Sequence, residues 1–499
     1  MQFLVEISGV KARTSAIRFP LCDMLNQHSA QIETTNKLMK NIILTLLIFC
    51  TSILSFGQTS NITFQINDSL KQEGNFNKNG KKIGKWKYYF RNGNLKYAGK
   101  YKNGQLKGKW IGYYDNGNIE IVSKYKNGKR TGLSKEFHEN GQLSATGKYK
   151  YDLETGNWKG YHENGQLLNY GIFLNGKPTD EWKRFHSNGQ LETIGLYKDG
   201  KHTGNWTAYY QNGQIEKRGN YINSLQTGLW NYNYQDGQIK ANINYKDGKQ
   251  DGEYTYFHKN GQIAVLGHYK SETKTGEWKN YNENGTLQLI GYYENNLETG
   301  EWKKYHENGQ LEFVGSRKKG AKTGEWKFYY NNEQLSAIGE YKNDLETGEW
   351  KGYYENGQLK NLGIYNNGKA TGFWQRFYDN GQLKAVGNFD NDKEIGLWKI
   401  YYSNGQLHYI GEFENGKGSG EWKWYNESGQ LLNISNYRKG ERVGEWKWYN
   451  PKNGQLIRLI NYETKERTNY DEQGNPTITI DVNNFEEDKN ELIDSQITK

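Results

Sequence analysis

Residues 348–365 read Gly-Glu-Trp-Lys-Gly-Tyr-Tyr-Glu-Asn-Gly-Gln-Leu-Lys-Asn-Leu-Gly-Ile-Tyr, followed by Asn-Asn-Gly-Lys-Ala-Thr before the next glycine, Gly372. Asn356-Gly357 lies between two aromatic-rich runs, the strongest short-range signal of a β-hairpin. The spacing predicts a strand, a two-residue turn of the primed type, a second strand, and a longer turn in which Gly368 and Gly372 supply left-handed backbone. Counted outward from the turn, Tyr354 is expected to face Leu359, Gly352 Asn361, Trp350 Gly363 and Gly348 Tyr365, all on one side of the sheet. On this reading the indole of Trp350 covers backbone that Gly363 would leave bare. The other side carries Glu349, Lys351, Tyr353 and Leu362, a thinner apolar stripe edged with opposite charges.

The same unit recurs along the chain. The turn glycine stands at Gly93 and then every 24 residues as far as Gly429, with Glu333 once in its place, and at Gly454 after one inserted residue. Seven residues before it runs a tryptophan column: Trp86, Trp110, Trp158, Trp182, Trp206, Trp230, Trp278, Trp302, Trp326, Trp350, Trp374, Trp398, Trp422 and Trp446, broken only by Ser134 and Tyr254. Two residues ahead of that column lies a glycine, with Asp180 the one departure, and the facing glycine column includes Gly99, Gly147, Gly171, Gly195 and Gly363. With no helical segment in any repeat, parallel strands joined by crossover helices are excluded. The expected fold is all-β: an elongated single-layer antiparallel sheet of about sixteen tandem 24-residue hairpins, with near 32 strands over ~150 Å at ~4.8 Å per strand.

Composition agrees with small repeated units. Sixty glycines, forty tyrosines and sixteen tryptophans stand against four prolines in 499 residues, too many turns and rings for a helical globule. An aromatic content of 15% argues equally against a disordered chain. Both cysteines, Cys22 and Cys50, precede the array, so disulfide, thiolate-metal and cysteine-nucleophile chemistry are excluded from it.

The N-terminus organises the rest. From Met39 a short positive start, an apolar run from Ile42 to Phe56 and small residues Ser55 and Gly57 form a secretory signal, too short at ~20 residues' requirement to be a membrane anchor. Residues 1–38 then read as an over-extended start, 39–57 as the signal peptide and 58–71 as an N-terminal edge strand, with the mature chain beginning at Gln58. The array occupies 72–462, a degenerate capping hairpin 463–482 and an acidic mobile tail 483–499. The whole chain carries +10, but residues 58–470 carry +14, a balance that favours anionic partners such as acidic polysaccharide or lipid headgroups. Nucleic acid is not expected as a partner after export.

The tandem of Gly-x-Trp-x-x-Tyr, Asn-Gly-Gln-Leu and Gly-x-Tyr-x-x-Gly resembles the MORN repeat, specifically the bacterial variant seen in YwqK-type antitoxin proteins, over residues 72–462. The resemblance implies an elongated antiparallel sheet used for protein contacts or, in some members, membrane-lipid association.

Side chains that carry chemistry follow the repeat rather than departing from it. His138, His162, His186, His258 and His306 all lie four residues after the tryptophan column. Equivalent positions in successive hairpins are two strands apart, ~9.6 Å, too far to share one zinc at ~2.1 Å from each ligand. They read as solvent-facing rim residues. Glu277, Glu301, Glu325, Glu349, Glu421 and Glu445 precede tryptophans, and Lys279, Lys303, Lys327, Lys351, Lys423 and Lys447 follow them, a solvated row suited to cross-strand pairs. No catalytic, cofactor-binding or metal-binding residue is identified. Trp424 and Trp448, extra rings near the end of the array, are the candidates for ligand contact. The reading is a non-enzymatic exported scaffold that binds protein through its sheet face, the alternative a surface binder of anionic glycan or lipid headgroups.

Overall fold

The computed structural model describes residues 72–481. The expectations for residues 1–38, 39–57, 58–71 and 483–499 lie outside the described residues. Thirty-six strands, from Gln72–Phe76 to Pro476–Asp481, form one antiparallel sheet. Strands pair with their neighbours in sequence, as Leu345–Tyr353 does with Leu335–Lys342 on one side and Leu359–Asn366 on the other, except that Glu441–Arg442 and Glu445–Tyr449 both pair with Leu431–Arg438. At the C-terminal end Glu466–Tyr470 pairs with Pro476–Asp481.

The two kinds of turn are the reverse of the expectation. Tyr354 N–H donates to the Gln358 carbonyl at 2.9 Å, Gly357 N–H donates to the Tyr354 carbonyl at 2.9 Å, and of the loop residues only Gly357 has positive φ (83°). Glu355–Gly357 is therefore a three-residue loop, a type I turn ending in a glycine bulge. The two-residue primed turn is the other one. Asn366 pairs with Lys369, leaving Asn367 (φ 50°) and Gly368 (φ 76°) as its two left-handed residues. Gly352–Asn361, Trp350–Gly363 and Gly348–Tyr365 pair as expected, but a bulge after Gly352 sets Tyr353, not Tyr354, opposite Leu359.

The asparagine explains the inversion. Asn356 Oδ1 accepts from Gln358 N–H at 3.0 Å, while its Nδ2 donates to the Asp379 carbonyl of the next turn at 2.7 Å. Asn332, Asn380 and Asn404 do the same, so the wider turns are stitched together along one edge of the sheet. Asp236 keeps the first bond and has no hydrogen for the second. Asn332→Asp should accordingly leave the turn in place and lower local stability by about 1 kcal/mol, read as faster amide exchange at residues 330–358 alone.

Each tryptophan covers a glycine, but on the other neighbouring strand from the one expected. Trp350 is paired in register with Gly363, yet its ring occupies the space where Gly339 of the preceding strand would carry a Cβ; Gly363 is covered by Trp374. Gly99, Gly147, Gly171 and Gly195 lie likewise beneath Trp110, Trp158, Trp182 and Trp206. A local irregularity directs the ring this way. With Gly348 left-handed (φ 67°), residues 348–350 bulge opposite Gly339, and the ladder skips from Ile338–Lys351 to Glu340–Thr347. The Glu340 carbonyl next to the bulge accepts the indole N–H of Trp350 at 3.2 Å.

The exceptions confirm the direction. Where Ser134 replaces tryptophan, the residue eleven before it is Ser123 rather than glycine, and the two buried hydroxyls bond at 2.6 Å. Tyr254 is likewise preceded at the same spacing by Ile243. Trp446 has Ser435, not a glycine, eleven residues before it, and there the strand splits into Glu441–Arg442 and Glu445–Tyr449.

Candidate functional site

The face that carries the tryptophans is a ladder of rings. From Tyr149 through Trp158, Phe173, Trp182, Tyr197, Trp206, Tyr221 and Trp230 to Tyr245, consecutive rings meet edge to face at centroid distances of 5.0–6.3 Å. Trp326 (0% exposed) and Trp422 (1%) are the most enclosed. In a single-layer sheet this row stands in place of a core.

Two guanidinium groups stand at irregularities in the ladder. Arg317 occupies a tyrosine position between Trp302 and Trp326, 5.8 and 5.6 Å from their ring centres, and is paired with Glu298 at 3.0 Å. At the other, Ser134 leaves a gap between Tyr125 and Tyr149, and the Arg130 guanidinium lies 4.0 Å over the Tyr149 ring. Glu136 lines the same gap. Burial raises its carboxyl above the ordinary range, with Arg130 acting in the opposite direction and Glu154 and Glu120 reinforcing the rise. A carboxyl raised in the folded state holds its proton there longer than in the unfolded chain. Its favourable contribution is therefore full below the unfolded value and lost as pH rises through the folded one. Glu136→Gln should raise stability at pH 7 and give no gain at pH 4, measured as urea midpoints.

Between Tyr254 and Trp302 the face opens into a shallow cavity of about 240 Å³, lined also by Val265, Tyr269, Lys274, Trp278, Asn280, Leu289 and Tyr293. The opening falls where small Asn280 occupies a position held by Tyr256 and Lys304 in the adjacent repeats. The Lys274 ammonium lies 4.3 Å from the Trp278 ring centre, and burial lowers its pKa.

The histidine row bonds instead of facing solvent free. Nε2 of His138, His162, His186, His258 and His306 lies 2.9–3.0 Å from the carbonyl of Tyr161, Phe185, Tyr209, Tyr281 and Tyr329 in the next hairpin. Tyrosines in the same column, such as Tyr354 and Tyr378, donate their hydroxyls to the equivalent carbonyls at 2.8 Å. Ring type varies because each delivers one donor at a similar reach. Among the described residues no group of three or more His, Cys, Asp or Glu side chains is placed to hold a metal.

The acidic and basic rows pair along a strand, not across strands. Glu277–Lys279, Glu325–Lys327, Glu349–Lys351, Glu421–Lys423 and Glu445–Lys447 meet at 2.6–3.0 Å, two residues apart on the exposed face. The candidate ligand contact Trp424 is interior: 4% exposed, its ring stands 4.4 Å from Tyr409 and its indole N–H donates to Ser435. Trp448 is half-buried against Trp446.

One column on the aromatic face holds no constant residue. Two residues after the tryptophan position stand Arg184, Ala208, Tyr232, Tyr256, Asn280, Lys304, Phe328 and Gly352 in successive repeats. Sequence inspection reaches the column only at Trp424 and Trp448, which stand in it, because no constant residue marks the rest.

A meander of hairpins in which indole, glycine and turn asparagine recur at fixed offsets defines a tandem-repeat scaffold. The sequence model of the MORN repeat variant matches fifteen segments in succession, from residues 82–103 to 419–439, and the chain belongs to that family. No curated protein matches. Among solved structures, similarity is found to a chain of the TcdB2-TccC3 crystal structure, at 10% identity and a TM-score of 0.13, covering 83% of this chain and 31% of that one. A chain of the Photorhabdus luminescens Tc holotoxin pore with the TccC3-D651A mutation gives 10% identity and a TM-score of 0.12, over 80% and 27%. This chain thus spans under a third of either, and such TM-scores do not amount to a shared fold.

Proposed function

We propose that this protein is a non-enzymatic, exported scaffold that binds a protein partner along the aromatic face of its repeat array. The observation that carries the reading is the variable column beside the tryptophans. Its neighbours on the face keep one residue type from repeat to repeat, whereas this position changes type freely: Arg184 and Lys304 pair with Glu192 and Glu312, and Tyr232 and Phe328 lie beside Trp230 and Trp326. In repeat arrays the regular elements keep the fold and the extended face that they build serves as the binding surface. Export rests on the signal beginning at Met39. No helix among the described residues is long and apolar enough to cross a membrane, a statement that does not bear on β-barrels.

The test is capture of an exported partner by residues 58–499 at both low and high salt. Arg184→Ala with Lys304→Ala, two surface side chains of that column, should abolish capture and leave the fold intact, while Lys303→Gln with Lys351→Gln on the opposite face should not matter. Retention by the first pair or loss by the second removes the aromatic face as the binding surface.

A further inference from the structure

The positive charge of the array is concentrated at one end. Residues 72–160 hold nineteen Lys and Arg against seven Asp and Glu, a balance of +12, whereas residues 161–470 hold thirty-nine against thirty-seven, only +2. Part of that excess forms a strip on the face opposite the tryptophans. Lys85 stands directly across from Lys100, Lys100 from Lys107, and Lys109 from Lys124. One hairpin further on, Lys148 pairs with Leu133 at the same level. All five of Lys85, Lys100, Lys109, Lys124 and Lys148 are exposed, and among the described residues none makes an ion pair.

The fold does not require this arrangement. The positions of Lys85 and Lys109 are taken by Glu325 and Glu349 in later repeats, each paired with a lysine at 2.8–2.9 Å. Like charges set opposite each other across strands lower stability, so three such pairs in succession are a cost that hairpin formation does not explain. An anion laid over them removes the repulsion.

The shape of the strip selects among anions. Its charges advance by one strand, ~4.8 Å, along the array axis, comparable to one sugar unit of an extended chain. Single-stranded nucleic acid also binds through stacking on aromatic rings, and the ring ladder lies on the opposite face. A bilayer would be gripped by inserted apolar side chains, and Leu133 is the one large exposed apolar residue in the strip. We propose that this strip is a binding site for a linear acidic polysaccharide lying along the array, its carboxylates over Lys85, Lys100, Lys109 and Lys124. The site is separate from the aromatic face and stands independently of the protein-binding reading.

The test uses residues 58–499 and a size-defined oligogalacturonate, titrated calorimetrically at low and physiological salt. Binding should weaken steeply with salt. Lys100→Glu with Lys124→Glu should weaken it at least ~10-fold, because each substitution both removes a contact and adds a repulsion. The same variant should melt no lower than the parent, since each new carboxylate faces lysines in place of a like charge. That rise or constancy separates lost binding from lost folding. Lys303→Gln with Lys351→Gln, from the paired rows, should bind as the parent does. No binding of the oligogalacturonate, equal weakening in both variants, or unchanged binding by Lys100→Glu/Lys124→Glu overturns the proposal. Capture of phosphatidylglycerol vesicles or single-stranded DNA in place of the oligogalacturonate also overturns it, in favour of those partners.

Discussion

Gly387→Ser should destabilise its repeat, because the space its side chain needs is already filled. A Cβ at that position would overlap the five-membered ring of Trp398, which is 3% exposed and hydrogen-bonded through its indole N–H to the Asn388 carbonyl at 3.2 Å. The ring is wedged between Phe389 and Phe413, at 5.0 and 6.3 Å, so it cannot swing aside without breaking both contacts. Overpacking of this kind costs ~1–3 kcal/mol or more, and Trp398→Ser, which empties the site, ~3–5 kcal/mol. The two changes act on one volume and cannot add. Gly387→Ser with Trp398→Ser rebuilds the hydroxyl pair that Ser123 and Ser134 form natively, and should cost at least ~2 kcal/mol less than the sum of the singles. Urea denaturation of the four proteins measures the cycle. Simple additivity would mean that the ring and the glycine do not share that space. The same experiment on Gly411 and Trp398, paired in register but not in ring contact, should give additive costs.

Trp230→Ala should open the sheet locally and on one side first. Trp230 is 2% exposed, lies over Gly219 and donates to the Asn220 carbonyl at 3.2 Å. Its loss should cost ~3–5 kcal/mol. Because each hairpin touches only its neighbours, that cost is confined to adjoining repeats. Hydrogen exchange should accelerate most between Ile215–Ile222 and Leu225–Asn233, where the ring sits, and less between Leu225–Asn233 and Ile239–Lys246. Residues 335–414 should keep their protection. Uniform loss from Lys82 to Tyr449 would reveal one cooperative unit, and an opening centred on the C-terminal pair would restore the covering of Ile243, the residue paired in register with Trp230.

The hairpin array, its period and its antiparallel order are legible in the sequence because the signals are local. Gly and Asn-Gly mark turns through backbone conformation, and alternation of Trp350, Lys351 and Gly352 marks faces through the two-residue pleat. The family follows from the same columns. Which glycine each indole covers is a different kind of question. Trp350 has a glycine on the strand to either side, and only the left-handed Gly348 and the bulge opposite Gly339 tip the ring one way. A signal did exist: Ser123 precedes Ser134, and Ile243 precedes Tyr254, each by eleven residues, whereas the residue thirteen after Ser134 is still a glycine, Gly147. The turn inversion had a weaker trace, in that Asp236 is the rare acid where an amide donor recurs.

The candidate sites divide in the same way. Lysines at Lys85, Lys100, Lys109 and Lys124 are plain in the sequence, but that they oppose one another depends on a register that the bulges reset. The histidine row looked solvent-facing because its acceptors lie 23 residues away in the next hairpin. Trp424 looked like a spare ring because nothing local shows that Tyr409 and Ser435 enclose it. Residue order alone determines strand, turn and face, because those depend on near neighbours and the pleat. Contacts between hairpins were decided only in the tertiary structure, because a single left-handed glycine changes which strand a side chain leans upon.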